Sequence, residues 1–364
     1  MKIALIVYLF PPKWIAGTEI ATYNIAKYLA KKGNEVHVIT SRDDEFPKTE
    51  KVDNFCIHRV NFKKIRVIGV INFWFQILLE IKKINPDIVH VQSISIALPG
   101  FFSKKLLKKP YIIWAQGSDV YLPDKFTKLI WKAVLKNASK VIALSEDMKN
   151  KLINICDKDQ VIIIPNGIEL EKFENFCQRE LNNKTKKTIL FVGTLRPVKS
   201  VNYLIKAMSI IHRRLPATNL LIVGDGPEKE KLESLVKELN LQDCIHFTGK
   251  APNEKIPEYM SQAHLFALPS SSEGLPLVII EAMASGLPIV TTNVGGLPEI
   301  VKNRENGFTV ESRSPEALAE KILLLLENTC LCDEICKTNK ENAKNYSWDK
   351  ITQKLENVYR EICE

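Results

Sequence analysis

No run of apolar residues in this 364-residue chain is long enough to cross a bilayer. The best candidate after the opening strand, Val67 to Leu79, is interrupted by Asn72 and Gln76 and falls short of the ~20 residues that a spanning helix needs. Cysteine is sparse and irregular: eight stand at 56, 156, 177, 244, 330, 332, 336 and 363, without the dense spacing of a secreted disulfide framework. Reduced, packed thiols in the cytosol are the reading that follows. Histidine is scarcer still, and all six precede the late cluster Cys330, Cys332 and Cys336, so none completes a zinc spacing there. No segment is compositionally disordered. Met1 to Phe10 lacks a small-residue cleavage site and runs into Pro11-Pro12, which suits a buried first strand of a parallel sheet rather than a signal peptide.

What remains is an ordinary globular composition, 45% hydrophobic and 26% charged, on a length that suits two domains. The formal net charge of +9 divides into +11 over residues 1–165 and −2 over 166–364, so the basic character belongs to the first half. There, β-rich runs at Lys2 to Tyr8, Glu35 to Thr40, Asp87 to Val91, Tyr111 to Ala115, Lys140 to Leu144 and Gln160 to Ile164 alternate with helical patterns. The helical patterns lie near Glu19 to Lys32, Ile71 to Lys83, Phe126 to Asn137 and Asp147 to Ile155. Such alternation predicts a doubly wound parallel sheet that binds ligands beyond the carboxyl ends of its strands. Strong turn formers at Pro165-Asn166-Gly167 mark a crossing to a second domain, and residues 174–187 read as a surface connector. The pattern restarts at Thr188-Ile189-Leu190-Phe191-Val192-Gly193.

The most informative stretch is Ser270 to Val290. Glu273 and Glu281 bracket an apolar run that reads as strand end, glycine turn, helix, a Gly286-Leu287-Pro288 stop and the next strand. Gly274 suits backbone that approaches a ligand closely, and Pro276 suits the first helical position because its missing N–H is not needed there. Amides left free at this turn, with the positive end of the helix, make a site for a nucleotide diphosphate. Glu281 falls about two turns after Glu273 on roughly one face. A carboxylate accepts paired hydrogen bonds from vicinal hydroxyls, which sugars and riboses both offer. Two surface glutamates on a solvated helix start are the alternative, against which stand the turn glycine, the proline and the following Gly295-Gly296-Leu297-Pro298-Glu299. Upstream, Arg196 and Lys199 lie between a strand end and a helix start, placed to clamp a pyrophosphate. Gly224-Asp225-Gly226 makes another strand-end turn, Gly17 and Thr18 open a helix after the first strand, and Gln116-Gly117-Ser118-Asp119 is either a ligand loop or a plain turn. No side chain stands out as a covalent nucleophile.

This arrangement resembles the retaining nucleotide-sugar glycosyltransferases of group 1 (glycosyltransferase family 4) with their Glu-x7-Glu motif. The likeness covers essentially the whole chain, strongest from Gly193 to Ile300 and weakest between residues 43 and 85. It implies a GT-B fold, α/β, with two Rossmann-like doubly wound parallel-sheet domains facing a deep cleft. An acceptor-binding domain over 1–165 and a nucleotide-sugar-binding domain over 166–345 are expected, with a terminal helix over 346–364 crossing back and Trp348 in the seam. The resemblance puts Glu273 on the donor hexose and Glu281 on the ribose, with Lys199 and Arg196 meeting the diphosphate. Gly274, Leu275, Pro276, Leu277, Gly17, Gly193, Gly224 and Gly226 would complete the donor site, while Gln116, Asp119 and Asn166 are candidates for sugar or acceptor contacts. Four positions depart from the family pattern: Ala16 replaces the first of two glycines, Thr194 takes the usual arginine position with Arg196 two residues later, Ser200 stands for the usual glycine after Lys199, and Gln116 stands where a histidine is common. Glutamine can hydrogen-bond a sugar hydroxyl but takes no proton at neutral pH.

The implied reaction moves a hexose from a UDP- or GDP-sugar to an acceptor hydroxyl of a glycan or lipid-linked saccharide, with retention and without a metal or other cofactor. Two further functions stay open: a sugar-nucleotide epimerase, which would want acid and base groups around the sugar ring, and a non-catalytic sugar-nucleotide-binding protein. In the first half, Phe101-Phe102-Ser103-Lys104-Lys105-Leu106-Leu107-Lys108-Lys109 interleaves apolar and basic residues, and Phe62-Lys63-Lys64-Ile65-Arg66 precedes Phe73-Trp74-Phe75. These segments lie against an anionic membrane surface, or they form a solvated lysine face over buried aromatics. The expected location is the cytoplasm, peripheral to the inner face of the membrane in the first case. Nucleic acid fits poorly, because no stacking platform or recognition helix accompanies the charge.

Overall fold

Runs such as Ile3-Ala4-Leu5-Ile6 and Tyr111-Ile112-Ile113-Trp114 are apolar on both faces, which only a sheet covered on both sides can satisfy. In the computed structural model, which describes residues 1–12, 17–62, 66–121, 125–174 and 187–364, these runs are fully buried strands. The chain divides into two units, Met1–Gly167 with Trp348–Glu364, and Ile168–Ser347.

The first unit holds β1 (Lys2–Ile6), β2 (Glu35–Arg42), β3 (Thr49–Val52), β4 (Phe55–Asn61), β5 (Ile88–Val91), β6 (Tyr111–Trp114), β7 (Lys140–Ala143) and β8 (Val161–Ile163). Their order is β3-β4-β2-β1-β5-β6-β7-β8, parallel throughout except that β3 pairs antiparallel with β4 at the edge. Sequence periodicity did not anticipate the β3–β4 hairpin. Its two-residue turn, Asp53-Asn54, has positive φ at both residues (45° and 67°), the mirror-image turn that matches strand twist. The helix expected near Ile71 to Lys83 spans Arg66–Ile84, and a further helix, Leu98–Leu107, occupies the basic-aromatic run.

Helix Gly17–Lys31 links β1 to β2 in one direction along the sheet, whereas Arg66–Ile84 and Leu98–Leu107 link strands in the other direction. Right-handed crossovers therefore put the first helix on one face and the other two on the opposite face. The packing agrees: Arg66–Ile84 lies against Leu98–Leu107, and the terminal helix Trp348–Cys363 lies against Gly17–Lys31. That terminal helix buries Trp348, Ile351, Leu355 and Tyr359 along one stripe. The Tyr359 hydroxyl sits 2.6 Å from His90 Nδ1, and the His90 ring stacks on Trp114. Burial holds the His90 imidazole down to about 3, so it is neutral. Gly167 lies under Trp348, where a Cβ would come within 2.5 Å of the indole.

The second unit holds β9 (Lys187–Val192), β10 (Thr218–Val223), β11 (Ile245–Gly249), β12 (Leu265–Leu268), β13 (Ile289–Thr292) and β14 (Gly307–Val310). All pairs are parallel, in the order β11-β10-β9-β12-β13-β14. Strand order reverses between β9 and β12, so the loops leaving these two strands diverge around a crevice where such sheets bind ligands.

Candidate active site

The β9 and β12 loops bring together residues 74 positions apart. Lys199 Nζ lies 2.6 Å from Glu273 Oε1, and the Ser270 hydroxyl donates to the same oxygen at 2.6 Å. The side chains of Lys199 and Glu273 keep 19% and 10% of their surface exposed, enough for a ligand to reach them. Ser271 ties the loops further, donating to the Val198 carbonyl through its amide at 2.8 Å and its hydroxyl at 3.2 Å. Lys199 ends a 3₁₀ turn, Pro197–Lys199, and Ser200 then takes a left-handed conformation (φ 53°) before helix Val201–Arg214. That backbone explains why a glycine is usual there in the family that the chain resembles. Arg196 is exposed and its guanidinium has no hydrogen-bond or ion-pair partner among the described residues. Ser270 was not singled out in sequence, although it belongs to the conspicuous Ser270-Ser271-Ser272 run.

The glycines of this region bring backbone against backbone. The Gly193 amide donates to the Val223 carbonyl at 3.0 Å and the Leu195 amide to Asp225 at 2.9 Å, zipping the β9 and β10 loops together. A Cβ on Gly224 would sit 1.9 Å from the Gly193 oxygen, and one on Gly226 2.5 Å from the Leu195 oxygen. The Gly295-Gly296 turn locks the acid loop in the same way: the Gly296 amide donates to the carbonyl of buried Gly274 at 3.0 Å. A Cβ at Gly295, whose φ is 54°, would fall 1.8 Å from the Glu273 carbonyl oxygen. Gly295→Ala is therefore expected to destabilise the second unit by about 1–3 kcal/mol and to displace Glu273. A lowered urea midpoint together with a fall in activity larger than the stability loss explains would check this.

Helix Leu277–Ala284 begins one residue later than expected, with Pro276 as its cap and Leu275 buried before it. Glu273 therefore lies in the loop, four positions ahead of the helix, and helical spacing does not set its direction relative to Glu281. The fold of the loop does. Burial pushes the Glu281 carboxyl up to about 7, opposed by the charge of Lys172, although the residue as a whole keeps some exposed surface. Lys172, which sequence reasoning passed over, also pairs with Glu169. Among the described residues no hydrogen bond to the Glu281 carboxylate is recorded.

In the first unit, Gly17 is exposed at the start of its helix, and Ala16 with the rest of 13–16 lies outside the described residues. Lys63, Lys64, Ile65, Cys177 and nearly all of the 174–187 connector lie outside them too. Asp119 ties two strand ends, accepting from the Ser93 hydroxyl at 3.0 Å, the Ile94 amide at 3.0 Å and the Gln116 amide at 3.3 Å. Gln116 and Asn166 are buried, and among the described residues Gln116 Nε2 and Asn166 Oδ1 have no hydrogen-bond partner. Gln92, just after β5, likewise has an Oε1 without a hydrogen-bond partner among the described residues and was not anticipated. The seven described cysteines are free thiols, and among the described residues no cluster of three or more His, Cys, Asp or Glu is placed to hold a metal ion.

Comparison with known proteins places these features in a family context. The model of glycosyl transferases group 1 matches residues 172–346, and that of glycosyltransferase family 4 matches 15–172. An uncharacterised glycosyltransferase of Methanocaldococcus jannaschii is 31% identical over 376 residues, covering 100% of this chain and 99% of its own. Among solved structures, a sucrose-phosphate synthase from Thermosynechococcus elongatus superposes with a TM-score of 0.88 at 25% identity, covering 99% of this chain and 98% of its own. An Anabaena protein solved with UDP-glucose gives 0.83 at 20% identity, covering 99% and 100%.

Proposed function

Because this chain belongs to the group 1 glycosyl transferases, we propose that it moves a hexose from a nucleotide-diphosphate sugar to an acceptor hydroxyl with retention of anomeric configuration. The observation that carries this reading is the Lys199–Glu273 pair at the carboxyl ends of β9 and β12. A diphosphate entering there draws Lys199 away from Glu273, and the freed carboxylate accepts hydrogen bonds from the hexose hydroxyls. Sugar transfer builds negative charge on the departing phosphate and positive charge on the anomeric carbon. A cation fixed to meet that charge lowers the barrier more than contacts that hold substrate and transition state equally.

In the proposed reaction the bond from C1 to the phosphate oxygen breaks with its electron pair leaving on the phosphate. The acceptor oxygen bonds C1 on the same face, and its proton passes to the phosphate oxygen, so the protein supplies no nucleophile. Arg196, exposed and without an ion-pair partner among the described residues, is the second cation, and the two together take the place of a metal. Glu281 accepts from the ribose hydroxyls, and Gln116 and Asn166 offer unpartnered polar atoms to a saccharide or lipid-linked acceptor. The UDP-glucose bound to the Anabaena protein makes uridine donors the first to try.

Thermal unfolding with a panel of nucleotide sugars tests the binding step, since a donor at about 100 times its Kd adds about 2.7 kcal/mol. One donor is expected to raise the midpoint and then to release nucleoside diphosphate only when acceptor is added. Interconversion of donors without acceptor would replace this reading with an epimerase, and binding without turnover would replace it with a sensor. No midpoint shift from any donor would overturn it.

A further inference from the structure

The first unit leaves large apolar side chains in solvent on two adjacent helices. On Arg66–Ile84, Phe73, Ile77 and Ile81 face the core, while Ile71, Phe75 and Leu79 are 50% to 57% exposed. Residues four apart advance only about 40° around a helix, so these three form one stripe, opposite the buried one. On Leu98–Leu107, Phe102 and Leu106 repeat the four-residue spacing and are 41% and 66% exposed. The two helices pack side by side on the same face of the sheet, so both stripes point away from it. The aromatic triplet thus divides, with Phe73 in the core and Phe75 outside.

Charge around this face is mostly positive. Lys82 and Lys83 close the first helix, Lys104 and Lys105 lie in the last turn of the second, and Lys108 and Lys109 follow it. Residues 66–109 carry seven Lys and Arg against Glu80 and Asp87, and Glu80 is engaged with His58 and Lys83. A second copy of the chain would bring this positive rim against itself, which disfavours a dimer. Bulky apolar tips ringed by long cationic side chains match instead the boundary between acyl chains and anionic headgroups. We infer that the outer faces of helices Arg66–Ile84 and Leu98–Leu107 dock on an anionic lipid bilayer. The helices lie on the surface: among the described residues none is long and apolar enough to cross it.

Flotation of the full chain with phosphatidylcholine vesicles, with and without added phosphatidylglycerol, tests the surface. Binding is expected only with the anionic lipid and is expected to weaken with salt. Lys104→Gln with Lys105→Gln should weaken it about fivefold per lysine, and Phe75→Ser with Leu106→Ser about tenfold or more. Both pairs are exposed, so their unfolding midpoints should match the parent. Sugar transfer to a water-soluble acceptor should also be unchanged, which separates this inference from the reaction proposed above. Absence of salt-sensitive flotation, or variants that float like the parent, overturns it. So does a dimer by light scattering that the Phe75/Leu106 variant abolishes, since the occupant would then be a second copy.

Discussion

Replacing Lys199 with alanine is expected to lower kcat/KM for sugar transfer by about two to three orders of magnitude, the scale seen when one fixed donor to developing charge is removed. The structure also predicts a cost to the fold, because the Glu273 carboxylate is mostly enclosed and would keep, among the described residues, only Ser270 as a partner. Removing one member of such a pair leaves a charge poorly compensated, so Lys199→Ala should lower stability by about 2 kcal/mol. Glu273→Gln in the same chain should restore that stability, since a neutral amide needs no cation, and should not restore the rate. Urea unfolding and nucleoside diphosphate release on the parent, both single variants and the double variant separate the two effects. Lost stability with kcat/KM unchanged would mean that Lys199 serves the loop and never meets phosphate.

Strands buried on both faces were legible because nothing but a covered sheet accommodates runs like those of β1 and β6. The β3–β4 hairpin was not, since Thr49-Glu50-Lys51-Val52 is a short, half-polar edge and its signal was confined to Asp53-Asn54. Helix Leu98–Leu107 was hidden by Pro99 and Gly100 in its first turn, where both residues usually mean a loop. Gly100 is there for contact: a Cβ would come 2.9 Å from both Tyr111 and Val91, so only glycine lets the helix lie this close to β5 and β6. In the second unit, Glu273 and Lys199 were visible as motifs, but their pairing was not. Adjacency of β9 and β12 creates it, and local sequence does not encode which strands adjoin. Gly224 and Gly226 were read as places where backbone approaches the donor, yet the backbone that approaches them belongs to the protein's own β9 loop.

Glu281→Gln should make the ligand-free protein more stable above neutral pH and bind its donor less tightly. The folded carboxyl titrates at about 7 against an ordinary value of 4.5, so the folded state holds a proton that the unfolded chain has released. Between these values the native state binds more protons, and stability falls as pH rises until the full penalty is present above 7. The gap corresponds to at most about 3 kcal/mol, reduced by the residual exposure of the residue and by the charge of Lys172. Glutamine has nearly the same shape and carries no charge to desolvate, so the variant should melt several degrees above the parent at about pH 8 and level with it at about pH 4. A donor reverses the preference. Ribose hydroxyls donating to Glu281 favour its ionised form, so donor binding expels a proton and tightens as pH rises through 7 in the parent. The variant has one acceptor oxygen and no charge, and it should bind about tenfold to a hundredfold more weakly with a flat pH profile. Thermal shift across that pH range, with and without the donor, reads both effects. If parent and variant shared one pH dependence of donor affinity, Glu281 would be a buried acid of the helix and not the group that receives the ribose.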